Sequence, residues 1–236
     1  MEIRTLYHGS DREVKKPEYG IGKADNDYGS GFYTTEDVER AKEWAVINGN
    51  SSNAVCNSYQ IDFDGLRVLR LDDYGTLAWI SEVISNRGTE NEMNSEIGMM
   101  LAEKYRIDTT DADIIIGYRA DDSYIRVVDA FLENRLTIEE LDRMFRKGRL
   151  GQQVFIKSRK AFEKLVFIDS EKVNPSEKYG ISDKKARKEV SDFLNKRDRE
   201  SQIEGLDVSS LGLIAREVLK NDYVYNNGYY VQKEAE

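Results

Sequence analysis

The chain has 236 residues, a net charge of −9, 39 % apolar and 33 % charged residues, one cysteine and one histidine. That length and balance suit a globular protein with a sizeable core, and they exclude a disulfide framework, a thiolate metal site and a zinc site of the usual ligand set, so no metal is expected. The acidic balance disfavours broad electrostatic binding to nucleic acid. No run approaches the roughly eighteen apolar residues of a membrane span, and Met1 to Thr5 carry no apolar signal segment, so a cytoplasmic protein without a membrane partner is expected.

Residues 2–8 alternate as a first strand, with Ile3, Thr5 and Tyr7 on one side. Residues 11–29 are polar and carry Pro17 and several glycines, which predicts a loop over the mouth of a cleft. Phe32-Tyr33-Thr34 is a short second strand. Thr35 can cap the helix that follows, with Glu36 and Asp37 in its first turn and Val38, Ala41 and Ala45 at helical spacing. Val55 to Phe63 and Leu66 to Leu71 read as two strands parted by Asp64-Gly65. Leu77, Ile80, Val83 and Ile84 form the face of one helix, and Ile97, Met100, Leu101 and Tyr105 part of the next. Asp113 to Gly117 is a buried strand. Tyr124, Val127, Val128, Phe131 and Leu132 fit the amphipathic helix template completely. Thr137 caps a helix bearing Ile138, Leu141, Met144 and Phe145, and strands follow at 152–157 and 165–168, separated by a helical turn around Ala161-Phe162.

Beyond about residue 175 lysine and glutamate dominate. Ala186, Val190, Phe193 and Leu194 make one helical stripe; Leu211, Ile214, Ala215, Val218 and Leu219 make a second. The tyrosine-rich end, with Tyr223, Tyr225, Tyr229 and Tyr230, has no clear pattern. The expected organisation is therefore a domain over 1–175 and a helical C-terminal extension over 176–236 packed on it. Strands and helices do not alternate strictly, so a mixed α+β domain with a mostly antiparallel sheet fits better than a doubly wound parallel one. The basic clusters Lys184 to Lys188 and Arg143 to Arg149 read as solvated helix faces.

The usual catalytic sets are scarce. Serine or cysteine catalysis would have to use His8, Cys56 has no local signature, and there is no Gly-x-Ser-x-Gly elbow. Asp121-Asp122 can serve as an acidic helix start. His8 or Tyr33 alone would be an ordinary strand residue. In combination, Tyr7-His8-Gly9-Ser10, Gly29-Ser30-Gly31-Phe32-Tyr33-Thr34-Thr35 and Ala41-x-x-Trp44-Ala45 resemble the NAD-binding half of the ADP-ribosyltransferase fold, in its diphtheria-toxin and poly-ADP-ribose-polymerase branch. Residues 3–170 resemble more closely a bacterial group of ADP-ribosyltransferase-like proteins that adds a Gly-x-x-Ala-Asp-Asp segment (Gly117 to Asp122) and a late Gln-x-x-x-Lys-Ser/Thr strand (Gln153 to Ser158).

The resemblance implies a split antiparallel β-sheet core with peripheral helices. It implies NAD as substrate and transfer of ADP-ribose to a macromolecular acceptor, protein or nucleic acid, as by the toxin of a toxin–antitoxin pair with an antitoxin partner. His8, Tyr33 and Gln153 would be the catalytic residues, with Gln153 preferred to Gln152. His8 would hydrogen-bond the adenosine ribose through one ring donor and one acceptor, and Gly9 would let the backbone hold the nicotinamide carboxamide. Tyr33 would stack on nicotinamide with Tyr28 as a second wall, while Ser10, Gly31, Ser30 and Thr34 complete or brace the pocket. The family often has glutamate where Gln153 stands. Glutamine can accept a ribose hydroxyl but carries no charge and is no general base, so a carboxylate from elsewhere, for example Asp121 or Asp122, could compensate; Arg119 is a further candidate site residue. A module that binds NAD or ADP-ribose without turnover, and an NAD glycohydrolase with water as acceptor, are the alternatives.

Overall fold

The computed structural model describes residues 2–48, 53–89, 92–120, 122–147, 151–175 and 177–233. In chain order the elements are β1 (Ile3–Ser10), β2 (Phe32–Thr34), α1 (Val38–Asn48), β3 (Val55–Asp62), β4 (Val68–Arg70), α2 (Gly75–Arg87), α3 (Glu92–Tyr105), β5 (Ile114–Tyr118), α4 (Asp122–Leu132), α5 (Ile138–Lys147), β6 (Gln152–Ile156), α6 (Arg159–Glu163), β7 (Val166–Lys172), α7 (Glu177–Glu204), α8 (Ala215–Lys220), β8 (Tyr223–Asn226) and β9 (Tyr229–Gln232). Short 3₁₀ turns occupy 71–74 and 208–211. This is an α+β protein whose strand pairings are antiparallel, except for β4 with β5.

The chain forms two compact units, each drawn from three segments. One holds 1–70, 108–119 and 151–185; the other holds 71–107, 120–150 and 186–236. The division expected at 175/176 followed composition, whereas these units follow contacts and interleave along the chain.

The first unit contains two sheets, ordered β1-β3-β7 and β2-β6-β5-β4. Leu6, Ile61, Phe63, Ile114, Ile116, Val154 and Ile156 make one buried cluster contributed by both sheets. Ala41, Ala45, Ala54, Cys56, Val173 and Tyr179 make another, with α1 as a contributor. The sheets touch edge to edge at one place. Tyr7 and Thr35 exchange backbone hydrogen bonds of 2.8 and 2.9 Å in an isolated antiparallel bridge. That bridge occupies the Thr35 backbone, so α1 starts later than a Thr35 cap would require. Asp37 is the cap: its Oδ1 accepts from the amides of Glu39 and Arg40 at 3.0 and 3.3 Å.

The second unit is mainly helical. Thr137 and Glu140 form a reciprocal capping box at the start of α5, and the Glu140 carboxylate also pairs with the buried Arg197 guanidinium. The C-terminal region is less helical than expected. Leu211 is exposed at the end of a 3₁₀ turn, and Ile214 caps the short α8. The tyrosine-rich end is the hairpin β8–β9, turning at Asn227-Gly228 with positive φ at both residues. Its Tyr230 hydroxyl accepts from the Leu77 amide at 2.7 Å.

Candidate functional site

The bridge between Tyr7 and Thr35 sets the geometry of everything beside it. Beyond the bridge the two sheets part, because β1 continues along β3 to Ser10 while β2 continues along β6. Backbone polar groups of a strand alternate sides with a two-residue period. Tyr7 directs its N–H and C=O to Thr35, so Gly9 directs its own to the same side, where the ladder has ended. A Cβ on Gly9 would lie 2.0 Å from Ala41 O and 2.5 Å from Ala45 N. Only glycine lets the α1 backbone come so near this strand.

His8 links β1 to β2. Its Nδ1 lies 2.7 Å from the Tyr33 carbonyl oxygen. A carbonyl can only accept, so Nδ1 carries the hydrogen. Burial pushes the imidazole below its ordinary range, against a smaller opposite pull from that carbonyl. The neutral ring therefore has Nε2 as a bare acceptor. The sequence-based role, one donor and one acceptor for a ribose diol, is corrected: the donor is spent on the protein and the acceptor remains. The ring lies 4.4 Å from that of Phe32, tilted by 38°, and Phe32 alternates to the opposite face of β2 from Tyr33. His8 thus meets Tyr33 at its backbone, not at its ring.

Tyr33 is fixed by its hydroxyl, which donates to Gly29 O at 2.7 Å and accepts from the Tyr28 amide at 3.0 Å. Its ring lies 4.7 Å from Phe155, directly opposite on β6, and 6.4 Å from the nearly parallel ring of Tyr28. Tyr28 is buried and its hydroxyl donates to Tyr118 O at 2.5 Å, so it is a packed part of the loop. Gly31 is required because a Cβ there would fall 2.3 Å from the Phe155 ring.

Gln153 shares the face of β6 that carries Phe155, two residues on. It is 3 % exposed. Its Nε2 donates to Asp27 Oδ2 at 2.8 Å and to Tyr118 O at 3.3 Å. His8, Tyr33 and Gln153 therefore belong to one unit but do not line one open surface: Tyr33 and Gln153 share a face, and the loop of Asp27 and Tyr28 covers it.

The other candidates fall into place around this core. Thr34 is buried and donates to Val154 O at 2.7 Å, so it braces β2 from within and offers nothing to a ligand. Ser30 donates to Gly22 O and pins the loop. Ser10 donates its hydroxyl to Arg12 O at 2.5 Å, within the turn that leaves β1. Arg119 lies over the Trp44 ring at 5.2 Å. Gln152 is exposed, and its carbonyl accepts from Thr35 Oγ1. Asp121 lies outside the described residues; Asp122 opens α4, and its side chain also lies outside them.

Two residues were not singled out from the sequence. Asn57, wholly buried on β3, donates to His8 O, Ser10 Oγ and Arg12 O and accepts from the Val14 amide at 2.8 Å. It ties down the chain immediately after His8. A polar residue in the apolar run Val55 to Tyr59 was the available signal. Asp27, 5 % exposed, is the other; it stood in an acidic-polar loop segment with nothing local to mark it.

Among the described residues no group of three His, Cys, Asp or Glu side chains could hold a metal ion, and no helix is long and apolar enough to cross a membrane. Residues 4–167 match the model of a family described as a protein of unknown function (DUF3990). No curated protein and no solved structure matches the chain.

Proposed function

This chain belongs to the DUF3990 family, and we propose that it is an NAD-dependent mono-ADP-ribosyltransferase with a split-sheet core of the ADP-ribosyltransferase type. The observation that carries the reading is the gap beyond the Tyr7–Thr35 bridge. There the Gly9 N–H and C=O face away from the β3 ladder, and the neighbouring His8, held through Nδ1 by Tyr33 O, keeps Nε2 as an acceptor. A donor–acceptor pair on one residue matches the two hydrogen-bonding groups of the nicotinamide carboxamide. The bare Nε2 matches a ribose hydroxyl as donor.

In this reading the bond between ribose C1′ and the nicotinamide ring nitrogen breaks heterolytically. The electron pair leaves with nicotinamide, which becomes neutral, and C1′ passes through an oxocarbenium-like state. A lone pair of the macromolecular acceptor then bonds to C1′, and the acceptor releases its proton. Tyr33 orders the loop around the site through its hydroxyl, and Gln153, buried under that loop, anchors it through Asp27. Incubation with labelled NAD and lysate should label a macromolecule and release nicotinamide, and His8→Ala should abolish both. Wild-type protein that binds NAD and labels nothing would overturn transfer.

One observation favours a second reading, a module that binds NAD or ADP-ribose without turnover. The Gln153 amide is held by Asp27 and Tyr118 under a loop, and glutamine supplies no charge of its own. Such a module would gain about 2.7 kcal/mol of stability at a ligand concentration 100 times its Kd and release no nicotinamide.

A further inference from the structure

One helix of the second unit turns apolar side chains to solvent in a regular pattern. Three of the chain's five methionines stand on α3, and all three are exposed: Met93 at 71 %, Met99 at 62 % and Met100 at 57 %. The packed face of α3 is a different one. Asn94 and Leu101 are buried there, and a Cβ on Gly98 would lie 2.8 Å from Ile84 Cγ2 on α2. Glu96 and Glu103 share the outward face. Both are exposed, and neither has a hydrogen bond or an ion pair among the described residues. At 3.6 residues per turn they form a row along the helix, with Met93 and Met100 on one side of it and Met99 on the other. From Gly88 to Glu103 the sequence holds four glutamates and no lysine or arginine. The first cation beyond, Lys104, is engaged elsewhere: its Nζ donates to Leu219 O and Asn221 O and pairs with Asp222. Single exposed apolar side chains are ordinary, but an apolar patch bordered by polar groups marks an interaction surface. Methionine suits such a surface because its unbranched side chain adapts to what it meets.

We propose that the outward face of α3 docks an amphipathic helix of a partner protein, one whose apolar stripe is bordered by lysine or arginine. Spacing and charge select this occupant. Met93 and Met100, like Glu96 and Glu103, are seven residues apart, about 10.5 Å along the axis. That is the repeat a helix lying alongside presents. A second copy of this chain is the poorer fit. Whether two α3 helices ran parallel or antiparallel, Glu96 and Glu103 would meet themselves or each other, and like charges brought together at an interface are unfavourable. A basic helix instead sets a cation opposite each glutamate and its apolar residues against the methionines. This docking does not depend on NAD.

The test uses the full chain and a synthetic helical peptide of about three heptads, with leucine at two positions per heptad and lysine flanking them. Its controls are an isomer with glutamate in place of lysine and a scrambled isomer that keeps the composition but loses the stripe. Binding is read by calorimetry, the footprint by protection of methionines from mild peroxide oxidation, and folding by thermal melting. The lysine peptide should bind wild type about tenfold or more tighter than either control and shield Met93, Met99 and Met100. Met93→Glu/Met100→Glu should melt like wild type and lose about tenfold or more in affinity. Glu96→Lys/Glu103→Lys should come to prefer the glutamate peptide. If either double variant melts low, Glu96→Gln/Glu103→Gln decides in its place and should lose the preference for lysine over glutamate. A scrambled peptide that binds wild type as tightly would reduce the effect to attraction by net charge and overturn the proposal. A lysine peptide that leaves the three methionines open to oxidation, or charge variants that keep the wild-type preference, would overturn it too. So would wild type that sediments as a dimer and becomes monomeric in Met93→Glu/Met100→Glu, because the face then belongs to a second copy.

Discussion

Two residues at the end of β1 do different work although they are neighbours. Gly9 is the contact on which α1 rests, and its replacement has a definite steric consequence. In Gly9→Ala the new Cβ meets backbone atoms of Ala41 and Ala45, which cannot rotate away. Overpacking of this kind costs about 1–3 kcal/mol or more, so Gly9→Ala should melt well below wild type, and an unchanged melting temperature would refute the close approach. His8 carries a pH signature. Its folded-state proton affinity is lowered by burial, whereas in the unfolded chain it titrates near about 6.5. Between those two pKa values the unfolded state binds more protons, so the stability that His8 contributes is present above about pH 6.5 and is lost as pH falls through the folded value. The melting temperature of wild type should therefore fall more steeply below pH 6.5 than that of His8→Gln. Because His8 is the only histidine, its ring resonances can be assigned directly, and the same titration should show a hydrogen on Nδ1.

Elements decide where such residues are held. β1 runs on to Ser10 because β3 supplies partners as far as Val55, and Asn57 then ties down the chain from His8 to Val14 with four hydrogen bonds. Asn57→Ala strands the Val14 amide and leaves a polar void in the sheet, at about 2–4 kcal/mol. Calorimetry should record that loss, and faster amide exchange should be confined to residues 10–14 and their neighbours on β1. The same strand keeps Cys56 inert: burial pushes its thiol up to about 11, which leaves almost no thiolate at neutral pH. Much at this scale was legible. The strand alternation of 3–7 and 55–63 and the helical stripe of 124–132 are local periodicities, and they survived into β1, β3 and α4. The start of α1 was less legible, since Thr35 and Asp37 are both good caps and only the bridge to Tyr7 settles which is used. The C-terminal hairpin was legible in Asn227-Gly228 but overshadowed by its tyrosines.

At the scale of the whole molecule the two units interleave, so no single cut separates them. Ending the chain at residue 175 would remove Tyr179 from its cluster with Ala41, Ala45 and Cys56 in the first unit. It would also remove Val190, Leu194 and Arg197 from the second, leaving the buried Glu140 without its cation. Loss of a buried charge's partner alone is worth about 3–5 kcal/mol. A 1–175 fragment should therefore lack a cooperative melting transition and be cut rapidly by protease; a fragment as stable as the full chain would show that residues 176–236 are dispensable.

By itself, the sequence determined the short-range pieces: an α+β set of strands and helices, with His8 and Tyr33 on two strands flanked by glycines. Each follows from spacing within about ten residues, where backbone periodicity and turn chemistry act directly. Only the tertiary structure decided which faces meet. It spent the His8 donor on Tyr33 O, buried Thr34, and brought Asp27 to Gln153 across 126 positions. Such meetings depend on strand register and on where two sheets part, and a one-residue shift in either would send each side chain to the opposite face.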